Sequence, residues 1–210
     1  MAQKKKEEEL NVDTQTKIKH AARMMFHKKG FAATRTRDIA SEADINIALL
    51  NYYFRSKQKL FDIIMMETMQ AFFQAMIGVL NDEQSSFKEK VTVIANNYIE
   101  LLLVEPEIPL FLMNEVRNSP SEFFQKLPLN DFFLNSILMK QYKELVKAGK
   151  IMKVDPIHFL INLLGLTVFP FVASPMVKKV GALSDKEFQL MMIERKKLIP
   201  IWIKGMLKAK

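Results

Sequence analysis

Helix-start signals recur along this chain, and no pattern of another kind competes with them. Ser86-Phe87-Lys88-Glu89 and Ser184-Asp185-Lys186-Glu187 each set a serine three residues before a glutamate. At that spacing the hydroxyl accepts from the N3 amide while the carboxylate takes the N-cap amide, which opens a helix. Asp155-Pro156 sets an N-cap before a proline whose fixed φ and missing N–H suit a first helical turn. No segment sustains the apolar–polar alternation of a strand. With only 6 Gly and 8 Pro in 210 residues, turn formers are too few for a chain of many short strands. The predicted fold is all-α, with about nine helices.

Ile18, Ala21, Ala22, Met25 and Phe26 fall at i, i+3, i+4, i+7 and i+8, one stripe of an amphipathic helix. This helix is predicted to start near Asp13 or Thr14 and to stop at Lys28-Lys29-Gly30, with 1–12 a disordered arm. A second, short helix covers about 37–43, capped by Thr34 or Thr36, with Ile39, Ala40 and Ala43 inward. Asp44-Ile45-Asn46 makes a turn, a third helix covers 47–54, and Ser56 caps a fourth over about 57–80. Pro106, Pro109, Pro120 and Pro128 then divide the middle into helices over about 108–118 and 130–148. The last two helices cover about 156–173 and 185–207, the latter with Pro200 as a kink site.

Composition removes several function classes. A chain 49% hydrophobic and 26% charged is neither disordered nor fibrous. The absence of Cys removes disulfides, zinc ribbons and thiol nucleophiles, and fits a reducing compartment. Residues 1–10 carry three lysines followed by three glutamates without an apolar stretch, unlike a secretory signal, so a cytoplasmic location is expected. The longest apolar run, 157–173, is broken by His158, Asn162 and Pro170. It is shorter than the roughly 20 residues that cross a bilayer, so no membrane span is expected. The three histidines, His20, His27 and His158, form no HExxH pair, and GxSxG, Walker A and GxGxxG are all missing. The chain is therefore read as non-enzymatic, without catalytic residues, metal or cofactor.

Charge is placed unevenly. Residues 1–60 hold 13 Lys and Arg against 7 Asp and Glu, whereas 61–210 hold 18 against 16. A basic N-terminal third suits nucleic acid or an anionic membrane.

A short helix, a tight turn and a second short helix describe a helix-turn-helix. In the second of these, Leu50 and Phe54 must face the core, which turns Ala48, Leu49 and Tyr52 outward with Ile47, Asn51 and Tyr53 on the flanks. Such side chains suit a partner, since apolar groups touch thymine methyls in the major groove. Thr36 and Lys57, at the starts of the second and fourth helices, suit phosphates. The competing reading is a small helical subdomain whose Tyr and Leu pack on the rest of the protein.

The stretch 18–61 resembles the DNA-binding domain of the tetracycline-repressor-like (TetR/AcrR) family. Ile18, Ala21-Ala22, Phe26, Gly30-Phe31, Thr34, Asp38-Ile39-Ala40, Ala43, Leu50, Tyr53-Phe54, Ser56-Lys57 and Leu60 match it without a gap. The resemblance implies phosphate and base contacts at Thr36, Arg37, Asn46, Ile47, Ala48, Leu49, Asn51, Tyr52, Tyr53 and Lys57. Three positions depart from the family. Asp44 stands for the usual turn Gly, Arg35 for Ser or Thr, and Asn51 for Tyr. The turn at Asp44 must then accept a left-handed non-glycine residue.

Residues 13–60 thus form a three-helix DNA-binding head and 61–210 a second, helical domain. That domain holds 13 of the 16 Phe and 11 of the 14 Met. Core filling explains them, and so does an adaptable apolar cavity. The resemblance implies such a cavity. Met66, Met69, Phe73, Phe111 and Phe133 are candidates to line it. Asn97, Tyr98, Asn114 and Asn162, set in apolar helices, are candidate polar contacts, or else are met by neighbouring side chains or face solvent. Leu163, Leu166, Phe169, Ile193, Ile199, Trp202 and Met206 exceed what a surface helix buries in its own subunit, or else form an internal core. The resemblance implies a two-fold dimer interface there. Together these readings predict a homodimeric transcriptional repressor. It binds a pseudopalindromic double-stranded DNA operator and is released by an apolar small molecule. The alternatives are a helical membrane-surface or lipid-binding protein using its basic N-terminus, and a helical lipid carrier that has lost DNA binding.

Overall fold

The computed structural model describes residues 2–118, 121, 125 and 133–208, with side chains from Val12 onward. Among the described residues there are eleven helices and no strand beyond an isolated antiparallel bridge between Ile151 and Lys208. In chain order they are α1 (Ala2–Ala33), α2 (Thr36–Glu42), α3 (Ile47–Phe54), α4 (Lys57–Asn81), α5 (Phe87–Val104) and α6 (Ile108–Asn118). They continue as α7 (Ile137–Lys147), α8 (Pro156–Thr167), α9 (Phe169–Val172), α10 (Ser174–Gly181) and α11 (Asp185–Met206). The chain divides into two compact units, Met1–Thr68 and Met69–Lys210.

In the first unit α1 begins at Ala2, not near Asp13 or Thr14. Residues 2–10 are all strong helix formers without Gly or Pro, so local propensity carries the helix back through the segment expected to be a disordered arm. At the other end Gly30, at φ 76 and ψ 161, breaks the helical path where the sequence places the stop. Ile18, Ala21, Ala22, Met25 and Phe26 are all buried. The unit extends eight residues past 60 because Leu60, Phe61, Ile64 and Met65 of α4 are buried. Phe61 closes an aromatic cluster, with centroids 5.4 Å from Phe26 and 4.6 Å from Phe31.

In the second unit α11 packs on α5 and α8, and α5 also receives α7 and α8. Val91, Ile94, Ile99 and Leu102 of α5 and Phe188, Met192, Ile199 and Ile203 of α11 are buried. Both capping boxes form: the Ser86 and Ser184 amides donate to Glu89 and Glu187, each at 2.8 Å. Hydrogen bonds from Ser86 and Ser184 hold these two carboxyls below the usual glutamate range. The helix expected over 156–173 is instead two helices, because Pro170 supplies no N–H to continue the ladder past Thr167. A further helix, α10, opens on Ser174 with Pro175 in its first turn. The helix expected from about 130 starts at Ile137, where Ser136 Oγ accepts from the Met139 amide at 3.2 Å. Residues 126–132 lie outside the described residues.

Lys90 is fully buried. Its ammonium donates to the carbonyls of Asp82 and Ser85 and to Ser85 Oγ, at 2.5, 2.6 and 2.9 Å. All three of its protons are thereby matched, and the α4–α5 loop is tied to α5. By length and composition α4 would cross a membrane. Its Leu60, Ile64, Met69, Met76 and Leu80 are buried in the protein.

Candidate nucleic-acid interface

The recognition segment is built from helix ends. Thr34, expected as a cap for α2, closes α1 instead: its hydroxyl donates to the Gly30 carbonyl at 2.7 Å and lies 3.1 Å from that of Met25. The residue before α2 is Arg35, whose amide donates to Asp38 Oδ2 at 3.1 Å. Asp38 also pairs with Lys29 at 3.2 Å. The Arg35 amide, then Lys29, hold the Asp38 carboxyl below its ordinary value. Neither threonine therefore caps α2: Thr36 is its first helical residue, and the Thr34 hydroxyl is held by the carbonyls of α1.

The turn takes the left-handed geometry that the sequence demands. Asp44 has φ 50, while the Ile45 amide donates to Ala40 at 3.0 Å and the Asp44 amide to Ser41 at 3.2 Å. Those two bonds make a Schellman motif with Asp44 at the C′ position. Asn46 then opens α3, its Oδ1 accepting from the Leu49 amide at 2.7 Å.

Leu50 and Phe54 are buried, as their spacing predicts. Asn46, Ala48 and Asn51 are exposed, and Leu49 and Tyr53 half-buried. Ile47 is 45% exposed and Tyr52 78%, so the unit does not use them for its own core. The Tyr52 and Tyr53 rings meet edge to face at 5.2 Å, which holds the exposed ring in place. Arg37 is exposed and Thr36 half-buried at the start of α2.

Lys57 has a further role that its spacing did not reveal. Its ammonium donates to the Phe31 and Thr34 carbonyls at 2.7 and 2.8 Å and lies 4.2 Å from the Phe31 ring centroid. It thus ties the start of α4 to the end of α1, with one of its three donors left over. Arg55, given no role in the sequence reading, is an exposed cation directly after α3. Its φ is 60, and the Ser56 amide bonds the Phe54 carbonyl at 2.6 Å across it. This is a γ-turn with positive φ, a rare and strained link. Nothing in the sequence marks it apart from the cation following the last buried residue of α3.

In the second unit, among the described residues, a small space lies beside Tyr98. The space lined by Met76, Leu80, Ile94, Tyr98, Phe133, Leu160, Leu163 and Leu164 is about 40 Å³, below the roughly 300–1,000 Å³ of ligand pockets. Of the residues assigned to a pocket, Tyr98 and Phe133 line it; burial pushes the Tyr98 phenol up to about 12. Met69 and Phe111 are buried elsewhere, Phe73 and Asn97 are half-buried, and Asn114 and Asn162 face solvent. Met66 lies within the first unit. None of these seven lines the space.

The residues assigned to subunit contact divide likewise. Leu163 and Ile199, 2% and 0% exposed, are core residues of their own unit. Leu166 and Trp202 are half-buried, with the Arg195 guanidinium 4.9 Å above the Trp202 ring. Phe169, Ile193 and Met206 are exposed. Beside them stand apolar residues that were not assigned: Ile157 and Ile161 on α8, Leu190 and Ile201 on α11. Both pairs keep to helical spacing, so the exposed stripe is offset from the buried one on the same helices.

Comparison with known proteins bears on both units. Residues 18–64 match the family model described as bacterial regulatory proteins, tetR family. The chain is 22% identical over 206 residues to the probable HTH-type transcriptional regulator YttP of Bacillus subtilis, covering 95% of this chain and 97% of that one. A TetR/AcrR-family regulator from Thermobifida fusca superposes with a TM-score of 0.64 at 19% identity, over 90% of this chain and 97% of the other. The regulator FadR from Bacillus subtilis, solved with stearoyl-CoA, gives 0.53 at 19% identity, over 88% and 96%.

Proposed function

This chain is a TetR-type transcriptional regulator, and from that premise we propose that it is a cytoplasmic, homodimeric repressor released from its operator by an apolar small molecule. The observation that carries the proposal is the outward face of α3, where Ile47, Ala48, Asn51 and Tyr52 stand in solvent on a helix whose Leu50 and Phe54 are buried. Apolar side chains on such a helix read thymine methyls, and Asn51 offers a donor and an acceptor to base edges. Thr36, Arg37 and the free amides at the start of α2 receive a phosphate. Lys57 holds α4 against this surface and presents its remaining proton to the backbone.

Dimerisation through the exposed Ile157 and Ile161 of α8 and Leu190 and Ile193 of α11 would pair two heads on a pseudopalindrome. The effector requires the small space around Tyr98 to open, which flexible methionine side chains permit. It must bind the DNA-incompetent state more tightly than the competent one, or it shifts nothing. The FadR structure carries a long acyl chain, which supports an apolar effector class.

Selection of bound fragments from randomly sheared bacterial DNA by the purified full chain tests the reading. Enriched fragments should share an inverted repeat. A pool with no common sequence would overturn sequence-specific regulation.

A further inference from the structure

A second, larger cavity lies away from the one around Tyr98. It is a groove of about 510 Å³ within the second unit, between the start of α5, the segment after α7 and the end of α11. Its floor is apolar and deep: Val91, Ile203 and Leu207 line it and are 2–5% exposed. Ile201, 64% exposed, forms an apolar lip. Four lysines also line it, Lys88, Lys150, Lys204 and Lys208, and no acidic residue does. None of the four ammonium groups has an ion-pair partner among the described residues. The bridge between Ile151 and Lys208 fixes one wall.

An apolar trough of ligand-pocket size with an all-cationic rim suits one chemistry. An alkyl chain is taken out of water along the floor, and an anionic head meets the lysines as a charge-assisted hydrogen-bond acceptor. We infer that this groove binds a single-chain amphiphile with an anionic head, one molecule per chain, at a site separate from the Tyr98 cavity. The inference stands apart from operator recognition, because it uses no residue of the first unit.

Gly205 provides the test. It lines the groove on α11, and a Cβ added there meets nothing within 4 Å. A side chain there starts without a clash at its Cβ, and the ring of Gly205→Phe is placed to occupy part of the groove. Decanoate, decanol and decyltrimethylammonium, each below its micelle concentration, are titrated into the full chain without DNA. Binding is followed by calorimetry and by the fluorescence of Trp202, the sole tryptophan, which is flanked by groove residues Ile201 and Ile203. Decanoate should bind once per chain and at least about tenfold more tightly than the other two, roughly the worth of one charge-assisted contact. Gly205→Phe should lose that binding while keeping the wild-type melting temperature. The combined Lys88→Gln, Lys150→Gln, Lys204→Gln and Lys208→Gln variant should bind decanoate and decanol alike. Equal affinity of the three probes for the wild type, or unchanged decanoate binding by Gly205→Phe, would overturn the inference. So would conversion of a wild-type dimer to monomer by Gly205→Phe, since the groove would then be filled by a second copy. Failure to bind an operator leaves all these readouts intact and bears only on the proposed regulatory function.

Discussion

Both units leave large apolar side chains in water, and they do so in different ways. In Met1–Thr68 the exposed Ile47 and Tyr52 sit on α3, a helix of eight residues, with Arg37 before it and Arg55 directly after. In Met69–Lys210 the exposed Ile157, Ile161, Leu190 and Ile193 run in rows along longer helices. A small apolar patch set among cations fits a polyanion that carries methyl groups in a groove. A long apolar row fits another long apolar row, and a second copy of the same chain supplies one by symmetry. The charge beside an exposed apolar residue thus indicates its partner as much as the residue itself does.

The strongest way to break this contrast is to place a charge in each row. Ile161→Glu with Ile193→Glu should convert a species of about twice 24.4 kDa into monomer by light scattering. An unpaired charge buried at an interface costs about 3–5 kcal/mol, a hundredfold or more in dimer affinity. Leu163→Ala, two residues from Ile161 but buried, should lower thermal stability by about 2–5 kcal/mol and leave the folded fraction dimeric. A wild-type monomer at micromolar concentration would remove the symmetric reading of the rows.

Tyr52→Ala sharpens the other side. If the ring packs on a base edge, specific affinity should fall by about 1–3 kcal/mol per half-site while non-specific binding is spared. Lys57→Ala has two effects to separate. It removes a proton available to phosphate, which flattens the salt dependence by about 0.9 per lost contact. It also leaves the Phe31 and Thr34 carbonyls without their donor, so the melting temperature should drop as well. Equal operator affinity in both variants and the wild type, measured by anisotropy at fixed salt, would show that DNA docks elsewhere.

Lys90→Met probes what only tertiary structure explains. The Asp82 carbonyl and Ser85 Oγ lose the ammonium, while the Ser85 carbonyl keeps Gln141 Nε2 as donor. Losing hydrogen bonds to a charged group costs about 1.5–3 kcal/mol. Chemical denaturation should show that loss in the second unit, with DNA affinity of the folded protein unchanged.

The first unit was legible because its decisive signals are local. Gly30, Asp44 and Asn46 each determine a turn or cap within four residues, and Leu50 with Phe54 orients α3 without reference to the rest of the chain. The second unit depends on what meets what. Ile161 and Leu163 are equally apolar and share α8, yet one faces solvent and the other the core. Periodicity predicts two faces but not which neighbour covers them. Met69 and Met76 read alike in sequence, while only Met76 borders the small cavity. Lys90 reads as an ordinary solvated lysine of an amphipathic helix, because its partners lie in the loop before α5. The γ-turn at Arg55 and the cation over Phe31 escaped notice for a similar reason: each depends on geometry that pattern does not encode.

The smallest effect is also the most local. Asp38 accepts from the Arg35 amide and pairs with Lys29, and both hold its carboxyl below its ordinary value. A carboxylate whose folded value is depressed contributes stability that is fully present above the unfolded value, near 3.9. That contribution is lost as pH falls through the lowered folded value. Acidification should therefore loosen the start of α2 only below about pH 4, with no change at neutral pH. The Arg35 amide resonance reports this directly, since protonation of Asp38 removes its acceptor. In an acid titration followed by heteronuclear correlation spectra, it should shift with a midpoint below that of an unperturbed aspartate. Asp38→Asn should abolish the shift and leave the amide resonances of α7 and α11 in place. A midpoint at or above 3.9 would mean that the carboxylate is not held by the helix start. The first turn of α2, which presents Thr36 and Arg37, would then rest on the burial of Ile39 and Ala40 alone.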